Sequence, residues 1–434
     1  MAFKFDGSEE GFEASLDLFK PPPVNTAVYR RDWVSYRPVS QITKGSPIQF
    51  TIPGSSSDYK DLKKSLLYVK VRIKKQNGQS ITNEDKVGFS NLTLQSLFRQ
   101  VDLSLQQQVM TSGVGLNYSY KAMLDTLLQF EEDPKETQLQ SQLYHKDSPG
   151  YMDDADPKEG ANIGLMMRST YTAKGNFVEL EGPVYVDICQ QDRLLINGVQ
   201  VDFKFIPSSD SFALMFPNGK ENYTCEIGEA ILKICQVKTN PGVMISHAEQ
   251  IKKSPALYNY MKSDVRTFNI QPGSFAWGMD DIFQGQIPSR VVVALVSGQA
   301  YSGTCHKNPY NFKHFNCNFM GLYADGQSVP GDPIQCDYKN QHYVSAYLSM
   351  FSGIGKLHMN EGNYISREDY ANGYAIYVFN ITPRHSRNYS DLIKRGHTRL
   401  CIRFSESPKE TITAIVYSSF PNIFQIDESR NIIS

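Results

Sequence analysis

The sequence predicts an all-β protein of two similar modules in one chain, and three observations support this. A β-rich succession of segments in the first half recurs, in the same order, in the second half. The segments are rich in β-branched and aromatic residues or alternate apolar with polar residues, as strands do. The chain has 434 residues, and all-β domains often reach roughly 200 to 250 residues, so two modules fit better than three.

The first matching elements are strands. LLYVKVRIKK (66–75) is a buried strand, and its counterpart is RVVVALV (290–296). NLTLQSLFRQ then leads into the alternating strand VDLSLQ (101–106), and NPYNFKHFN leads into NFMGLYADGQ. Matching elements lie about half a chain apart, which indicates a duplicated architecture and not a short-period solenoid.

A helix and further strands follow in both halves. Apolar residues recur at helix spacing in YSYKAMLDTLLQF (118–130) and in HYVSAYLSMF (342–351). After polar connections, PVYVDI (183–188) and LLINGVQVDFKF correspond to YAIYVFNI and TRLCIRF (398–404). TITAIVYSSF (411–420) closes the second set.

Proline and glycine mark the boundaries of the modules. Residues 1–24 form an acidic N-terminal arm that contains Pro21-Pro22-Pro23, a semi-rigid spacer. Residues 25–220 form the first module, whose polar stretch 131–180 is expected to be a long outward loop. Residues 221–434 form the second module and a C-terminal tail. The join is placed in FPNGKENYT (216–224), which is too short for a free tether, so the modules should pack side by side.

Composition argues against several classes of protein. The formal net charge is -1 and the basic residues are dispersed, which is unlike a strong binder of nucleic acid. KSLLYVKVRIKK (64–75) is locally basic, but lysines that protect a strand edge from aggregation explain it about as well. The seven cysteines are scattered without a C-x-x-C pair, which favours free core thiols over disulfides or zinc.

The sequence shows no targeting signal and no membrane span. The N-terminus is acidic where a secretory signal needs basic and apolar segments, and Ala2 excludes myristoylation. The longest apolar run, VVVALV (291–296), is far shorter than the roughly 20 residues of a membrane span. We therefore expect a soluble protein made in the cytosol. Glycosylation is not expected at its five sequons, at Asn91, Asn117, Asn222, Asn380 and Asn388.

Glycine motifs do not complete a nucleotide site. Gly298 and Gly303-Thr304 have the spacing of a phosphate-binding loop, but no lysine precedes Thr304 and Pro309 restricts a following helix. The pairs Gly113/Gly115 and Gly353/Gly355 each lack the third glycine of a dinucleotide fingerprint. Turn glycines are the favoured interpretation.

Metal and catalytic motifs are incomplete as well. His247-Ala248-Glu249 resembles part of a zinc-deaminase signature, but its C-x-x-C partner is missing, and an amphipathic helix VMISHAEQIKK is expected there. Asp153, Asp154 and Asp156 lack the glycine and distal glutamate of a calcium loop, which favours a solvated acidic loop. The sequence thus predicts a protein that is not an enzyme, with no catalytic, cofactor-binding or metal-binding residues and no cofactor.

Six ordered blocks cover most of the chain from residue 24 to 430. The blocks are PIQFTIPGSSSDYKDLKKSLLYVKVRI (47–73), NLTLQSLFRQVDLSLQQQ (91–108), RLLINGVQVDFKF (193–205), GQIPSRVVVALVSGQAYSGTCHKNPYNFKHFN (285–316), SREDYANGYAIYVFNITP (366–383) and ETITAIVYSSFPNIFQID (410–427). Together they resemble a known family, the double jelly-roll major capsid proteins of Polinton/Maverick elements and adintoviruses, in the adenovirus and tectivirus lineage. One departure is Gln106-Gln107, where an Asn-Gly turn is expected.

The resemblance implies two side-by-side eight-stranded jelly rolls with short helices in the connecting loops. It further implies a homotrimeric, pseudo-hexagonal capsomer of an icosahedral double-stranded DNA virus or virus-like transposon, located in the virion and assembled in the nucleus. Partners would be further copies of the chain, penton proteins and minor or cement capsid proteins, with no sequence-specific nucleic acid. By the same analogy, 131–180 would contribute to an outer tower and the arm would meet neighbouring capsomers.

The alternative from a different class is a cellular β-sandwich protein that binds carbohydrate or is cupin-like. It would need a concave pocket lined by polar and aromatic side chains, which the sequence does not locate.

Overall fold

The computed structural model describes residues 7, 11, 13–19, 21, 24–111, 117–219, 222–283, 285–381 and 393–433. Within them, each module is a sandwich of two four-stranded antiparallel sheets. The strands of both modules are numbered together in chain order below.

The first module contains eight strands. They form one sheet in the order β1-β8-β3-β6 and a second in the order β2-β7-β4-β5. Their bounds are β1 Val28–Tyr36, β2 Ile48–Ile52, β3 Asp58–Lys75, β4 Phe98–Leu105, β5 Gln108–Val109, β6 Val178–Pro183, β7 Val201–Pro207 and β8 Tyr223–Thr239.

The second module repeats this connectivity strand for strand. Its sheets have the orders β9-β16-β11-β14 and β10-β15-β12-β13, so each strand corresponds to the one eight numbers earlier. The bounds are β9 Ala256–Ile270, β10 Ala276–Met279, β11 Arg290–Ser297, β12 Cys317–Ala324, β13 Gln327–Gln335, β14 Ile376–Asn380, β15 Thr398–Phe404 and β16 Ile412–Ile426. This is the jelly-roll connectivity twice over, and the predicted fold class is confirmed.

Short helices lie in the connections. In chain order they are α1 Thr93–Ser96, α2 Asn117–Gln129, α3 Glu132–Glu136, α4 Ile163–Tyr171, α5 Asp210–Ala213, α6 Pro241–Lys253, α7 Gly298–Tyr301, α8 Val344–Ile354 and α9 Arg367–Ala371. The predicted helices correspond to α2, α8 and α6. Helices α2 and α8 occupy equivalent places in the two modules. Each lies between the fifth and the sixth strand of its module. Two-residue strands pair Gly88–Phe89 with Leu214–Met215, and Ile432–Ile433 pairs with the end of β16.

Alternation along the strands builds the core of each sandwich. In β2, the residues from Ile48 to Ile52 are alternately buried and exposed, so one face of the sheet is apolar. The ring of Phe205 on β7 packs edge-on to Phe50 at a centroid distance of 5.7 Å and contacts Phe98 at 5.1 Å. These three rings all belong to the second sheet and line its apolar face, and no disulfide contributes to the core because all seven cysteine thiols are free.

The hairpins from β4 to β5 and from β12 to β13 have the same backbone. Gln106 and Gln107 have φ of 48° and 67°, and Asp325 and Gly326 at the equivalent positions have 49° and 80°. Positive φ at both central residues is typical of the two-residue hairpin turn that Asn-Gly or Asp-Gly favours. The first module therefore keeps the turn type although it lacks the expected Asn-Gly pair.

The predicted module boundary at 220 was wrong. Strand β8 pairs with β3 from Tyr223↔Lys75 to Lys238↔Asp58, and with β1 on its other side. The first module thus extends to Thr239, and α6 makes the connection to β9. The Asn218-Gly219 turn signal is real, but it marks a loop within the first module and not the join.

Two local predictions also need correction. PVYVDI was predicted as a strand, but β6 covers Val178–Pro183 and Asp187–Gln190 forms a 3-10 turn. The stretch 131–180 is not simply an outward polar loop, because it contains α3 and α4 and buries Leu143, Tyr144 and Leu165. Its apolar residues are shielded from solvent because the segment folds back and packs against the modules. Its expected part in an outer tower stays a prediction.

Candidate functional site at the junction of the modules

The glycine motifs serve backbone packing. The Gly298 amide donates to the Thr411 carbonyl at 2.8 Å, and a Cβ on Gly298 would lie 3.0 Å from that oxygen. A Cβ on Gly353 would lie 2.2 Å from Val378 Cγ1, and Gly355 caps α8 with φ of 78°. Gly298 and Gly353 therefore allow close backbone approach, and Gly355 ends a helix; the turn interpretation holds for Gly355 but not for Gly353, which lies within α8. Gly113 and Gly115 lie outside the described residues.

The candidate metal ligands are engaged with protein groups. Tyr59 Oη lies 2.9 Å from His247 Nδ1 on α6. Asp153 accepts from Lys313 Nζ at 2.6 Å and Asp156 accepts from Lys86 Nζ at 2.6 Å, while Asp154 accepts from the Ala161 amide at 2.7 Å. Among the residues that the structure describes, no group of three or more His, Cys, Asp or Glu side chains could hold a metal ion.

The basic stretch 64–75 is neutralised by neighbouring strands. On β3, Lys70 pairs with Glu179 at 3.1 Å, and Arg72 and Lys74 both pair with Glu226 at 2.6 Å. The explanation by strand-edge lysines was wrong, because β3 lies between β8 and β6. The charges are instead arranged as cross-strand ion pairs on the outer face of the sheet.

A buried ionic cluster joins α2 of the first module to the first sheet of the second. Lys121 Nζ lies 3.3 Å from Asp125 Oδ2 and 3.2 Å from Asp187 Oδ1. Tyr417 Oη on β16 donates to Asp125 Oδ1 at 3.0 Å, and the Ser263 amide on β9 donates to Asp187 at 2.7 Å. Burial opposes the charged form of Lys121, but the two carboxylates outweigh it and raise the pKa of Lys121 above its usual value.

A second buried cluster centres on Asp147. Arg168 on α4 donates to Asp147 at 2.7 Å, and both side chains are fully buried. Asn308 Nδ2 donates to the same carboxylate at 3.0 Å, and Tyr374 Oη donates to the Asp147 carbonyl at 2.9 Å; both belong to the second module. Because one buried charge pair is hydrogen-bonded by both modules, it fixes their relative position.

Aromatic rings fill the junction between these two clusters. Tyr120 on α2 stacks on Tyr301 at a centroid distance of 5.7 Å and meets Phe212 and Tyr310 edge-on. The Tyr120 hydroxyl donates to the Pro309 carbonyl at 3.1 Å, and the hydroxyls of Tyr310 and Ser96 lie 2.6 Å apart. Buried aromatic surface with satisfied hydroxyls gives a rigid contact.

Lys135 is a buried cation whose hydrogen-bond acceptors are both carbonyls. Its Nζ donates to Leu127 at 3.1 Å, in the last turn of α2, and to Asn363 of the second module at 2.7 Å. Burial, with Lys146 and Lys356 nearby, lowers the pKa of Lys135 to about 7. Near neutral pH this side chain is therefore close to losing its charge.

The thiols and a buried imidazole are not activated for chemistry. Burial raises the pKa of Cys189 and Cys317 to about 12 and that of Cys336 to about 11, so these thiols stay protonated. Burial lowers the pKa of His314 to about 4, and its ring stacks on Tyr338 at 3.9 Å. The arrangement provides rigid cohesion between two modules, with no activated nucleophile among these groups.

These junction residues were largely unpredictable from the sequence. Lys121 and Asp125 are four residues apart on α2, a spacing that suggests an ion pair but not its burial. Arg168 sits in the apolar context of α4, and the residues that satisfy it are distant in the chain. The sequence therefore indicated only the Lys121–Asp125 ion pair, and it did not predict the buried junction between the modules.

A depression of about 480 Å³ lies on the outer face of the second sheet of the second module. Its lining includes Tyr323, Arg399 and Arg403. The Arg403 guanidinium lies over the Phe319 ring at 4.9 Å, and Arg399 pairs with Asp280 at 3.2 Å. This surface has the composition that the carbohydrate-binding alternative requires, so a glycan would bind here if that alternative held.

Comparison with known proteins gives a relative and several similar structures. No known family model matches the chain. An uncharacterised protein of Caenorhabditis elegans is 23% identical over 424 residues, and the match covers 94% of this chain and 98% of the relative. Within the described residues, no helix is long and apolar enough to cross a membrane.

Solved structures with similar folds come from viruses. A chain in the structure of the Sputnik virophage matches with a TM-score of 0.66 and 11% identity, over 98% of this chain and 92% of that one. The PBCV-1 virus capsid matches at 0.56 and 10%, over 96% and 99%. The Faustovirus major capsid protein matches at 0.53 and 10%, over 94% and 92%. At such low identity these matches establish the fold, and the chain has the double jelly-roll fold along nearly its full length.

Proposed function

We propose that this protein is the major capsid protein of an icosahedral double-stranded DNA virus or virus-like transposon, and that it acts structurally, without catalysis. The observation that carries the proposal is the exact repetition of jelly-roll connectivity in two modules held by a buried junction. Three such chains supply six similar modules around one axis and can form a pseudo-hexagonal tile. The finer assignment is to the Polinton/Maverick and adintovirus lineage, with penton and minor capsid proteins as partners and assembly in the nucleus.

The surface for the trimer contact is suggested by a difference between the modules. Strand β11 is buried on both faces from Val291 to Ser297; in its sheet, α2 and the 187–190 turn pack against β9, and α8 packs against β14. The equivalent strand β3 alternates, with Tyr68, Lys70 and Arg72 facing outward and half-buried. One chain therefore covers this sheet face in its second module but leaves it open in its first.

The equivalent helices α2 and α8 also differ, because α8 exposes large apolar side chains and α2 does not. Helix α2 is buried from Tyr118 to Leu128, since both modules contact it. Its counterpart α8 leaves Val344 41% exposed and Leu348 40% exposed, four residues apart on one side of the helix. We therefore assign α8 of one copy to the open outer face of β3 in the next copy, which repeats the internal junction between chains.

Light scattering and negative-stain imaging of the purified protein test the proposal. We expect a particle of about 147 kDa, three copies of the 49.1 kDa chain, with a hexagonal projection. Leu348→Asp should weaken trimer association at least roughly tenfold, because it removes apolar contact surface and buries a carboxylate beside Lys70 and Arg72, whose charges are already paired with Glu179 and Glu226. Ile245→Asp on α6 is the matched control, because α6 and α8 lie at opposite ends of the second module's first sheet.

Each other outcome is informative. A stable monomer without a hexagonal projection would reject the capsomer proposal. A trimer that Leu348→Asp leaves unchanged would reject only the assignment of α8. Specific binding on a glycan array, lost in Tyr323→Ala, would favour the carbohydrate-binding alternative.

A further inference from the structure

A cavity of about 460 Å³ lies between the modules beside α6. Its wall is mainly apolar and includes Val28, Leu194, Ile196, Val243, Ile251 and Leu257. The contact between Tyr59 Oη and His247 Nδ1 at 2.9 Å lies within its lining. An apolar cavity of this size accommodates one or two large side chains.

The N-terminal arm presents large apolar side chains to solvent. Leu16, Leu18 and Phe19 are 58%, 75% and 95% exposed, next to a single 3-10 turn at Ala14–Leu16. Three exposed large apolar side chains among four consecutive residues are unusual on a free surface and indicate a binding segment.

Charge supports a match between this segment and the cavity. Residues 13–19 carry two carboxylates, Glu13 and Asp17, and no cation. The cavity lining includes the cation Arg193 and no carboxylate, and α6 ends in Lys252 and Lys253. Electrostatic attraction therefore favours binding of the acidic, apolar segment at this site.

The spacer favours a neighbouring copy over the same copy. Ala27 lines the cavity, and Phe19 precedes it by eight residues, a reach of about 28 Å when extended. The sequence between them contains Pro21-Pro22-Pro23. A run of prolines favours an extended, semi-rigid chain, which opposes folding of Phe19 back into the cavity of its own copy. In the single chain, Phe19 is accordingly exposed.

We propose that the segment from Leu16 to Phe19 of one copy docks in the α6 cavity of a neighbouring copy. This rests on the proposed capsid function, because it assigns the arm to contacts between capsomers of the shell. Phe19 and Leu18 enter the cavity, and the acidic residues face the basic end of α6.

Cross-linking between two separately tagged preparations tests the proposal. One preparation carries Phe19→Cys, the other carries Val243→Cys, and they are mixed under assembly conditions with a short bismaleimide. We expect the heterologous cross-link at least about fivefold above the wild-type background from native thiols. The control pair replaces Val243→Cys with Val109→Cys, an exposed apolar position on β5 outside the proposed interfaces, and should stay at background.

The outcomes separate this proposal from the proposed function. Assembled capsomers without the Phe19–Val243 cross-link would overturn the docking alone, as would a cross-link seen only when both cysteines are in the same copy. A monomer at every concentration would overturn both. In a second measurement, the double variant Leu18→Ser, Phe19→Ser should keep the trimer but weaken association between trimers at least tenfold, and Val39→Ser, another exposed apolar site, should not.

Discussion

Lys135 illustrates how a single residue links the junction of the modules to pH. Its folded pKa of about 7 is below the usual value of 10.5, so between these values the unfolded chain binds more protons than the folded one. The free energy of unfolding should therefore rise with pH across that window, by up to about 1.4 kcal/mol per unit, and should not change from this group below pH 7. A neutral amine still donates to both carbonyls, so the junction is retained.

The test compares wild type with Lys135→Met by denaturant unfolding from pH 7 to 9. The difference in unfolding free energy between them should shift in favour of wild type as pH rises. Lys252→Met, an exposed lysine on α6, should follow wild type. A difference for Lys135→Met that is independent of pH would contradict the assignment.

At the same scale, residue identity alone predicted core positions well and buried charges poorly. Tyr120, Met123 and Leu124 were recognised by helix spacing and are buried. Lys121 on the same helix is buried too, but only because Asp187 and Asp125 meet it. A pattern of apolar residues indicates which side of a helix is inside, whereas the burial of a charge depends on partners from distant segments.

At the scale of elements, the two equivalent hairpins allow a reciprocal test. Gln107 and Gly326 share positive φ, and a Cβ on Gly326 would meet nothing within 4 Å, so strain there comes from the backbone alone. Gln107→Gly should stabilise by about 0.5 kcal/mol and Gly326→Gln should destabilise by about 1 kcal/mol. Gly362→Gln, also in open space but without positive φ, should be near neutral. Unfolding midpoints check the series, and equal effects at Gly326 and Gly362 would contradict it.

Element order was predictable, but element limits were less so. The strands at 66–75, 101–106, 290–296, 398–404 and 411–420 all fall within or largely within observed strands. Strand β8 was missed because a strong turn signal precedes it, and its partners β1 and β3 are remote in sequence. PVYVDI has strand composition, yet β6 ends at Pro183 and the chain turns to bring Asp187 to the junction.

For the whole molecule, the arm separates folding from assembly. Deleting residues 1–23 should leave the trimer intact, because the first sheet begins at Val28, and should impair assembly of shells. Light scattering would measure the first property and electron microscopy the second. Loss of folded protein on this deletion would instead place the arm in the core, and unchanged shells would show that assembly does not require it.

The sequence by itself determined that the chain is all-β, that its order of elements is duplicated and that helices recur at the same place in both halves. These are local patterns of apolar periodicity and composition. Only the tertiary structure decided that the first module extends to Thr239, that α2 is buried on all sides while α8 is half exposed, and that Asp147 and Lys121 are buried. The physical reason is that each of these properties depends on what packs against a surface, and the packing partners include segments remote in the chain, such as β3 for β8 and Asn308 for Asp147.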